Sequence, residues 1–240
     1  MPTFTHGDVA INYEDNGNDA PAILLIAPGG MKSAIPFWDS TPWDPRDQLA
    51  ESHRVIAMDQ RNAGASTGPI SAQDGWHTFA ADQLGLMDHL GIERFHVAGM
   101  CIGGPYALGL IEQAPERVLS ATLFQTIGRD NNEAEFFAMF DAWADALKSD
   151  FPDLTEGDWA QFRANMFGAQ KPFFNLDVDF VGSVTTPLLV LMGNDVYHPS
   201  ASSQLVASTA PNVTFIESWK EGAARDAAMS QFADFLALNQ

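Results

Sequence analysis

The 240-residue chain has one cysteine, few basic side chains and no long apolar run. The single thiol, Cys101, excludes a disulfide within the chain and fits a reducing compartment. The 12 Lys and Arg against 31 Asp and Glu give a net charge of −19, which repels nucleic acid and anionic membrane surfaces. We therefore expect a small-molecule substrate or ligand and no nucleic-acid or membrane partner, and we leave a homodimer open.

Segments that target or anchor a protein, and motifs that bind metals or nucleotides, are also lacking. No run approaches the roughly 18 apolar residues of a membrane-spanning helix. Residues 1–8 lack the basic and apolar regions of a signal peptide, so we expect a cytoplasmic location. There is no His-x-x-x-His, no cysteine pair and no Gly-x-Gly-x-x-Gly after a strand. We expect neither a metal nor a cofactor.

Short apolar runs alternate with longer amphipathic stretches, a pattern typical of strands and helices around a parallel sheet. Hydrophobic residues make up 46% of the chain, enough to bury the core of one domain. The pattern predicts an N-terminal hairpin over Phe4 to Tyr13. It then predicts strands at Ala22–Ala27, Arg54–Asp59, Phe95–Gly99, Ala121–Gln125, Pro187–Gly193 and Val213–Glu217, and helices at Gly75–Leu90, Pro105–Gln113, Ser200–Ser208 and Ala223–Leu238.

Residues 129–182 interrupt this alternation, because they hold helical stretches and many aromatic side chains but no convincing strand. The segment is either an insertion with its own small core or a lid over an apolar pocket. We predict a core domain made of residues 1–128 and 183–240, with a helical cap at 129–182. Most of its aromatic side chains pack against one another, and we predict that Phe137, Phe140 and Trp143 face a ligand.

Cys101 lies where an apolar strand meets a helix, with glycine two residues before it and two after it, at Gly99 and Gly103. A nucleophile on a strained strand-to-helix turn needs small residues at these places, because strand and helix approach closely there. The alternative is a buried cysteine that acts as a small hydrophobe. The flanking glycines favour the nucleophile. A thiol at a helix N-terminus has a lowered pKa, which suits this role.

Four landmarks in order make the chain resemble the α/β-hydrolase superfamily over nearly its whole length. They are Ala27-Pro28-Gly29-Gly30-Met31, the turn Asp59 to Ser66, the turn around Cys101, and Leu191-Met192-Gly193-Asn194-Asp195. The resemblance implies an α/β-hydrolase fold, with a mostly parallel central sheet flanked by helices and a helical cap insertion. It also implies an oxyanion hole formed by the backbone N–H of Ile102 and that of Gly30 or Met31, and it makes Asp195 the catalytic acid. The other interpretation of Asp195 is a cap for the helix predicted to begin near Ser200.

The chain departs from the family at the base, which the family carries in the loop after the last strand. That stretch, Glu217 to Asp226, contains no histidine, and none occurs after His198. Of the six histidines, His198 alone falls at the carboxyl edge of the predicted sheet, where open α/β folds bind ligands. His198 is therefore either the replacement base, oriented by Asp195 or a neighbouring carboxylate, or a histidine on the rim of the site.

Two functions from different classes follow. The first is a hydrolase or acyl transferase in which Cys101 attacks a carboxylic ester, lactone or thioester of a small, moderately apolar acyl group. The second is a non-catalytic or vestigial relative that binds a small apolar ligand. The glycines around Cys101 favour the enzyme, whereas the missing C-terminal histidine favours the binding protein.

Overall fold

The computed structural model describes residues 1–240 and shows one eight-stranded sheet with the strand order β1-β2-β4-β3-β5-β6-β7-β8. The N-terminal hairpin pairs β1 with β2, and β2 runs antiparallel to β4, whereas all later neighbours are parallel. The strands are β1 (Thr3–His6), β2 (Val9–Asp15), β3 (Ala22–Ile26), β4 (Arg54–Met58), β5 (Phe95–Met100), β6 (Val118–Phe124), β7 (Leu188–Leu191) and β8 (Val213–Ile216). Each predicted strand is present. The bounds differ by one to three residues, since β6 begins three residues earlier than predicted and β7 ends two residues earlier.

Helices cover both faces of the sheet, which explains why β3 and β5 are buried along their whole length. They are α1 (Arg46–Leu49), α2 (Trp76–His89), α3 (Gly103–Gln113), α4 (Glu133–Leu147), α5 (Glu156–Phe167), α6 (Val178–Ser183), α7 (Ser200–Thr209) and α8 (Gly222–Leu238). The four predicted helices are confirmed as α2, α3, α7 and α8. The single-turn helix α1 and two short 3-10 segments, Gly30–Lys32 and Ile35–Ser40, lie where no helix was predicted. None of the helices is long and apolar enough to cross a membrane.

Between β6 and β7 the chain forms α4, α5 and α6 and no strand. Aromatic rings hold α4 to α5: the rings of Phe140 and Phe162 lie 5.1 Å apart, and those of Trp143 and Phe162 lie 5.8 Å apart. The segment also contacts the loop after β3, because Met139 on α4 lies against Gly30. Aromatic packing therefore stabilises the segment, and the Met139 contact places it against the loop at the carboxyl end of β3. Its designation as a cap stays a prediction.

The turn from Asp59 to Ser66 fixes loops rather than presenting side chains to a site. The Asp59 carboxylate accepts hydrogen bonds from the Ile35 and Ala65 backbone N–H groups, each 2.8 Å long. Arg61 forms a two-pronged ion pair with Asp82, with nitrogen-to-oxygen distances of 2.8 and 2.6 Å. This arrangement holds the loop after β4 at the carboxyl edge of the sheet.

Candidate active site

Cys101 occupies a strained turn between β5 and α3, with a φ of 62°. A Cβ on Gly99 would collide with the Gly103 carbonyl, and one on Gly103 would lie 2.8 Å from the Ile26 carbonyl oxygen. Both glycines are therefore required by the close approach of strand and helix, as the sequence predicted. A left-handed conformation is costly for a residue with a side chain and is concentrated at functional sites. Cys101 as a whole residue is half-buried.

His198 lies between Asp195 and Cys101. Its Nδ1 is 2.8 Å from the Asp195 carboxylate, which also accepts hydrogen bonds from the Tyr197 and His198 backbone N–H groups at 3.0 Å. The imidazole is 13% exposed and its Nε2 is buried without a hydrogen-bond partner of standard geometry. Since Nδ1 is taken by Asp195, Nε2 is the nitrogen available to the thiol. The structure thus brings together the three side chains that the sequence singled out, Cys101, His198 and Asp195.

The electrostatics of the three groups favour their charged forms. Burial raises the pKa of the Cys101 thiol, but the neighbouring His198 ring and the Gly29 and Ile102 backbone N–H groups stabilise the thiolate, and the pKa lies below its ordinary value. Burial lowers the pKa of His198, whereas Cys101 and then Asp195 raise it, and the pKa lies above its ordinary value. The pKa of Asp195 is lowered, because its contacts with His198 outweigh burial. Together these shifts stabilise a thiolate–imidazolium pair beside a carboxylate.

Two backbone N–H groups face the thiol, that of Ile102 and that of Gly29. Ile102 was predicted for this position, whereas the loop after β3 was expected to contribute Gly30 or Met31. The Met31 N–H is instead directed at the Met139 sulfur, 3.4 Å away. Gly29 and Gly30 have φ values of 120° and 59°, so the loop turns sharply and presents the earlier amide to Cys101. The oxyanion role of Ile102 and of Gly30 or Met31 stays a prediction, and Gly29 is a further candidate donor.

Side chains from two elements close over this loop. Phe37 packs against Gly29, where an added Cβ would lie 3.1 Å from the phenyl ring. Met139 packs against Gly30 so closely that an added Cβ would lie 2.5 Å from its sulfur. Met139 comes from α4, more than a hundred residues along the chain, and no local sequence pattern points to it. Phe37 and Met139 therefore give the loop beside the thiol an apolar cover.

The three aromatic residues predicted to face a ligand lie in the packed part of the helical segment. Phe140 is 0% exposed and Trp143 is 3% exposed, and the Trp143 indole N–H donates to the Asn62 carbonyl at 3.1 Å. Phe140 is thus fully enclosed by protein atoms, and Trp143 nearly so. Phe137 is half-buried, and the Arg163 guanidinium lies over its ring at 4.7 Å. These contacts hold α4 to α5 and to the turn after β4, and substrate contact by the three side chains stays a prediction.

A large surface cleft lies away from Cys101. It has a volume of about 880 Å³ and lies between α2, α3, α5 and the chain around Lys171, with Gly75, Tyr106 and Asn165 among its lining residues. Cys101 does not line it. No cluster of three or more His, Cys, Asp or Glu side chains is arranged to hold a metal ion. The cleft holds no thiol with a histidine and a carboxylate beside it. Cys101 has both as neighbours, so we place the candidate site at Cys101.

The loop after β8 supports the candidate site. The Trp219 indole N–H donates to the Met192 carbonyl at 2.9 Å, and Lys220 Nζ donates to Asn194 Oδ1 at 2.6 Å. Both bonds reach the segment that leads into Asp195. Residues 217–226, where the family carries its histidine, therefore hold the loop between β7 and α7 in place. That loop supplies both Asp195 and His198.

The remaining histidines lie elsewhere, as predicted. His53 and His96 are buried next to each other near the amino ends of β4 and β5, with ring centroids 5.8 Å apart. His6 and His89 flank the ring of Phe4 at the N-terminal hairpin, with ring centroids 6.5 and 5.0 Å from it. His77 is exposed on α2. His198 is the one histidine that contacts the candidate site.

A mostly parallel sheet with a cysteine, a histidine and an aspartate at its carboxyl edge defines an α/β protein with a candidate site for nucleophilic chemistry. The family model for the alpha/beta hydrolase fold matches residues 22–234, and the chain belongs to this family. The enol-lactonase from Burkholderia xenovorans is similar in structure, with a TM-score of 0.71 at 21% identity over 98% of this chain and 100% of that chain. A likeness at this level of identity shows the fold.

The relatives found by sequence are named as enzymes. A Mycobacterium tuberculosis protein named as a non-heme bromoperoxidase, BpoC, is 25% identical, with the match covering 87% of this chain and 88% of BpoC. The RutD protein of Azorhizobium caulinodans, named as a carbamate hydrolase, is 37% identical over 126 residues. That match spans 51% of this chain and 43% of RutD. The relatives are α/β-hydrolase enzymes, and they support a hydrolase activity for this chain.

Proposed function

We propose that this protein is a hydrolase that uses Cys101 as its nucleophile on a carboxylic ester, lactone or thioester. The observation that carries the proposal is the position of His198, which is bound to the Asp195 carboxylate at 2.8 Å and contacts the Cys101 thiol with its other side. A nucleophile, a base and a group that orients the base define this kind of site by geometry and not by sequence position. Here the base and the acid come from one loop.

In the first half of the reaction the Cys101 thiolate attacks the substrate carbonyl carbon. The carbonyl oxygen becomes negatively charged and accepts hydrogen bonds from the Gly29 and Ile102 backbone N–H groups, which face this thiol. The His198 imidazolium then donates its proton to the departing alcohol or thiol, and an acyl-cysteine remains. Asp195 keeps the imidazole oriented through Nδ1.

In the second half water attacks the acyl-cysteine and His198 accepts a proton from it. The carbon–sulfur bond breaks, the carboxylic acid leaves and the thiolate–imidazolium pair is restored. An alcohol or amine in place of water would make the same chain an acyl transferase.

A small, moderately apolar acyl group fits the surroundings of the thiol. Phe37 and Met139 press on Gly29 and Gly30, and Met31 beside them is buried. These side chains are uncharged and leave little room. The net charge of −19 also disfavours an anionic substrate.

The second candidate is a non-catalytic protein that binds a small apolar ligand. The observation that favours it is the close cover of Met139 over Gly30 and Met31, which restricts access to the site. This alternative would be identified by a small ligand that binds to the protein and is recovered chemically unchanged, with no hydrolysis product.

The proposal is tested by following hydrolysis of p-nitrophenyl acetate and butyrate, a small lactone and a short acyl thioester. We expect Cys101→Ala to lower kcat/KM at least about a thousandfold, because no other cysteine can replace the nucleophile. Cys101→Ser is the matched control for side-chain volume. Unchanged thermal unfolding of both variants shows that the loss is chemical. Turnover of all four substrates that persists in Cys101→Ala contradicts the proposal.

A further inference from the structure

Gln125, at the carboxyl end of β6, lies directly beside Cys101. The Cys101 backbone N–H donates to the Phe124 carbonyl at 3.0 Å, and the Cys101 carbonyl accepts from the Ile127 N–H at 3.1 Å. These two bonds bracket residues 125 and 126 and hold them against the turn. On its other side the Gln125 N–H donates to the Leu191 carbonyl of β7 at 2.8 Å. Gln125 is thus fixed between the strand that carries Cys101 and the strand that leads to His198.

The backbone of Gln125 is strained in the same way as that of Cys101. Its φ is 39°, in the left-handed region that side-chain-bearing residues rarely adopt, and it is not a glycine. Such a residue persists only where the surroundings enforce its conformation, and these residues are concentrated at active sites. Two neighbouring strands therefore both end in strained residues at the candidate site.

The side-chain amide of Gln125 is left without a partner. Its Oε1 is buried and accepts no hydrogen bond. A buried polar atom of this kind is costly to fold unless water or a ligand satisfies it. His198 Nε2 is also buried without a standard hydrogen bond. Both unpartnered atoms belong to residues that flank Cys101 at the same edge of the sheet.

We propose that Gln125 is a further catalytic residue, whose side-chain amide holds the water that hydrolyses the acyl-cysteine. This inference rests on the proposed function. The water donates one hydrogen to Gln125 Oε1 and the other to His198 Nε2. His198 takes that second proton as the water oxygen attacks the acyl carbon, after which the carbon–sulfur bond breaks and the acid leaves. Gln125 remains neutral throughout, so its contribution is the orientation of the nucleophile.

This role predicts a specific defect when the amide is removed. Gln125→Met keeps the length of the side chain but cannot accept the hydrogen bond, so acylation persists while deacylation slows. We expect acid-quenched intact-mass measurements during turnover of p-nitrophenyl butyrate to show a larger fraction of acylated chain than in the wild type. The steady-state rate should fall at least tenfold. Hydroxylamine attacks a thioester without activation and should restore nitrophenol release in Gln125→Met.

Gln125→Glu keeps an acceptor oxygen at the same reach and should recover most of the steady-state rate that Gln125→Met loses. Gln113→Met changes an exposed glutamine at the end of α3 and should behave as the wild type. The inference is overturned if Gln125→Met has wild-type turnover, or if it loses acylation as well and hydroxylamine restores nothing. Wild-type protein that forms no acyl adduct and no product would instead refute the proposed function, whatever the Gln125 variants do.

Discussion

At the scale of single residues, the candidate site depends on one imidazole that lies between a thiol and a carboxylate. His198 contacts the Cys101 thiol and the Asp195 carboxylate, and its pKa is raised because both favour the imidazolium over the opposing effect of burial. Reciprocally, His198 offsets the burial of Cys101 and lowers the pKa of the thiol. These shifts favour the thiolate form of Cys101, which is the form that the proposed nucleophile requires.

Replacement of the imidazole should affect both reactivity and catalysis. In His198→Ala the thiolate loses its cationic neighbour, so the pKa of Cys101 rises and alkylation by iodoacetamide at neutral pH slows. The alkylation rate of the wild type should persist to lower pH than that of the variant, and kcat/KM should fall about 10²- to 10⁴-fold. His77→Ala is the control, because that imidazole is exposed on α2. Equal alkylation profiles for wild type and His198→Ala would remove His198 from the site.

At the scale of elements, the loop between β7 and α7 is shaped so that His198 folds back onto Gly193. The Gly193 N–H donates to Ser203 Oγ at 3.2 Å, and a Cβ on Gly193 would collide with the His198 carbonyl. Trp219 and Lys220 then hold the residues on either side of Gly193 from the neighbouring loop. The loop is thereby fixed from two directions.

Gly193→Ala tests this arrangement. The added methyl group must push the His198 backbone away, so we expect kcat/KM to fall tenfold or more, with a loss of stability of about 1–3 kcal/mol from overpacking. Gly157→Ala is the matched control, since a Cβ there would lie 3.5 Å from Thr155 Oγ1, an ordinary contact. Kinetics and thermal unfolding of both variants check the prediction. Wild-type kinetics in Gly193→Ala would show that the loop does not depend on this close approach.

The elements themselves were largely predictable from the sequence, whereas their side-chain contacts were not. Strand β3 is a continuous apolar run that follows Pro21 and ends just before Ala27-Pro28, so its bounds follow from composition. Cys101, Asp195 and His198 could be singled out because each follows a strand whose carboxyl end lies at the same edge. Met139 and Gly29 could not be assigned, since the first approaches from a distant helix and the second depends on how a glycine turn is wound.

At the scale of the whole molecule, the pKa values of titratable groups are shifted for different reasons at the two ends of the sheet. At the carboxyl edge the contacts of Cys101, Asp195 and His198 favour the charged forms, whereas the amino end buries the imidazoles of His53 and His96. Burial, and then repulsion from His53, lowers the pKa of His96 from 6.5 to about 4. Burial also lowers the pKa of His53. Both Nε2 atoms are buried without hydrogen-bond partners, so protonation of either ring is unfavourable.

The pH dependence of stability follows from these shifts. Between pH 6.5 and about 4 the unfolded chain binds a proton at residue 96 that the folded chain does not, so the free energy of unfolding decreases as pH falls. We expect His96 to account for about 2 kcal/mol of the stability lost between pH 7 and pH 4.5. Urea unfolding at both pH values should show a smaller loss in His96→Gln than in the wild type. His77→Gln serves as control, and an identical loss in all three proteins would contradict the account.

In the proposed reaction Cys101 forms and releases an acyl intermediate. The most direct measurement is intact-protein mass spectrometry on acid-quenched samples during reaction with p-nitrophenyl butyrate, with released nitrophenol followed in parallel. We expect one butyryl adduct, located on Cys101 and absent from Cys101→Ala, while nitrophenol release continues beyond one equivalent per chain. Nitrophenol release by Cys101→Ala at the wild-type rate, or a wild-type protein with neither adduct nor product, would contradict it.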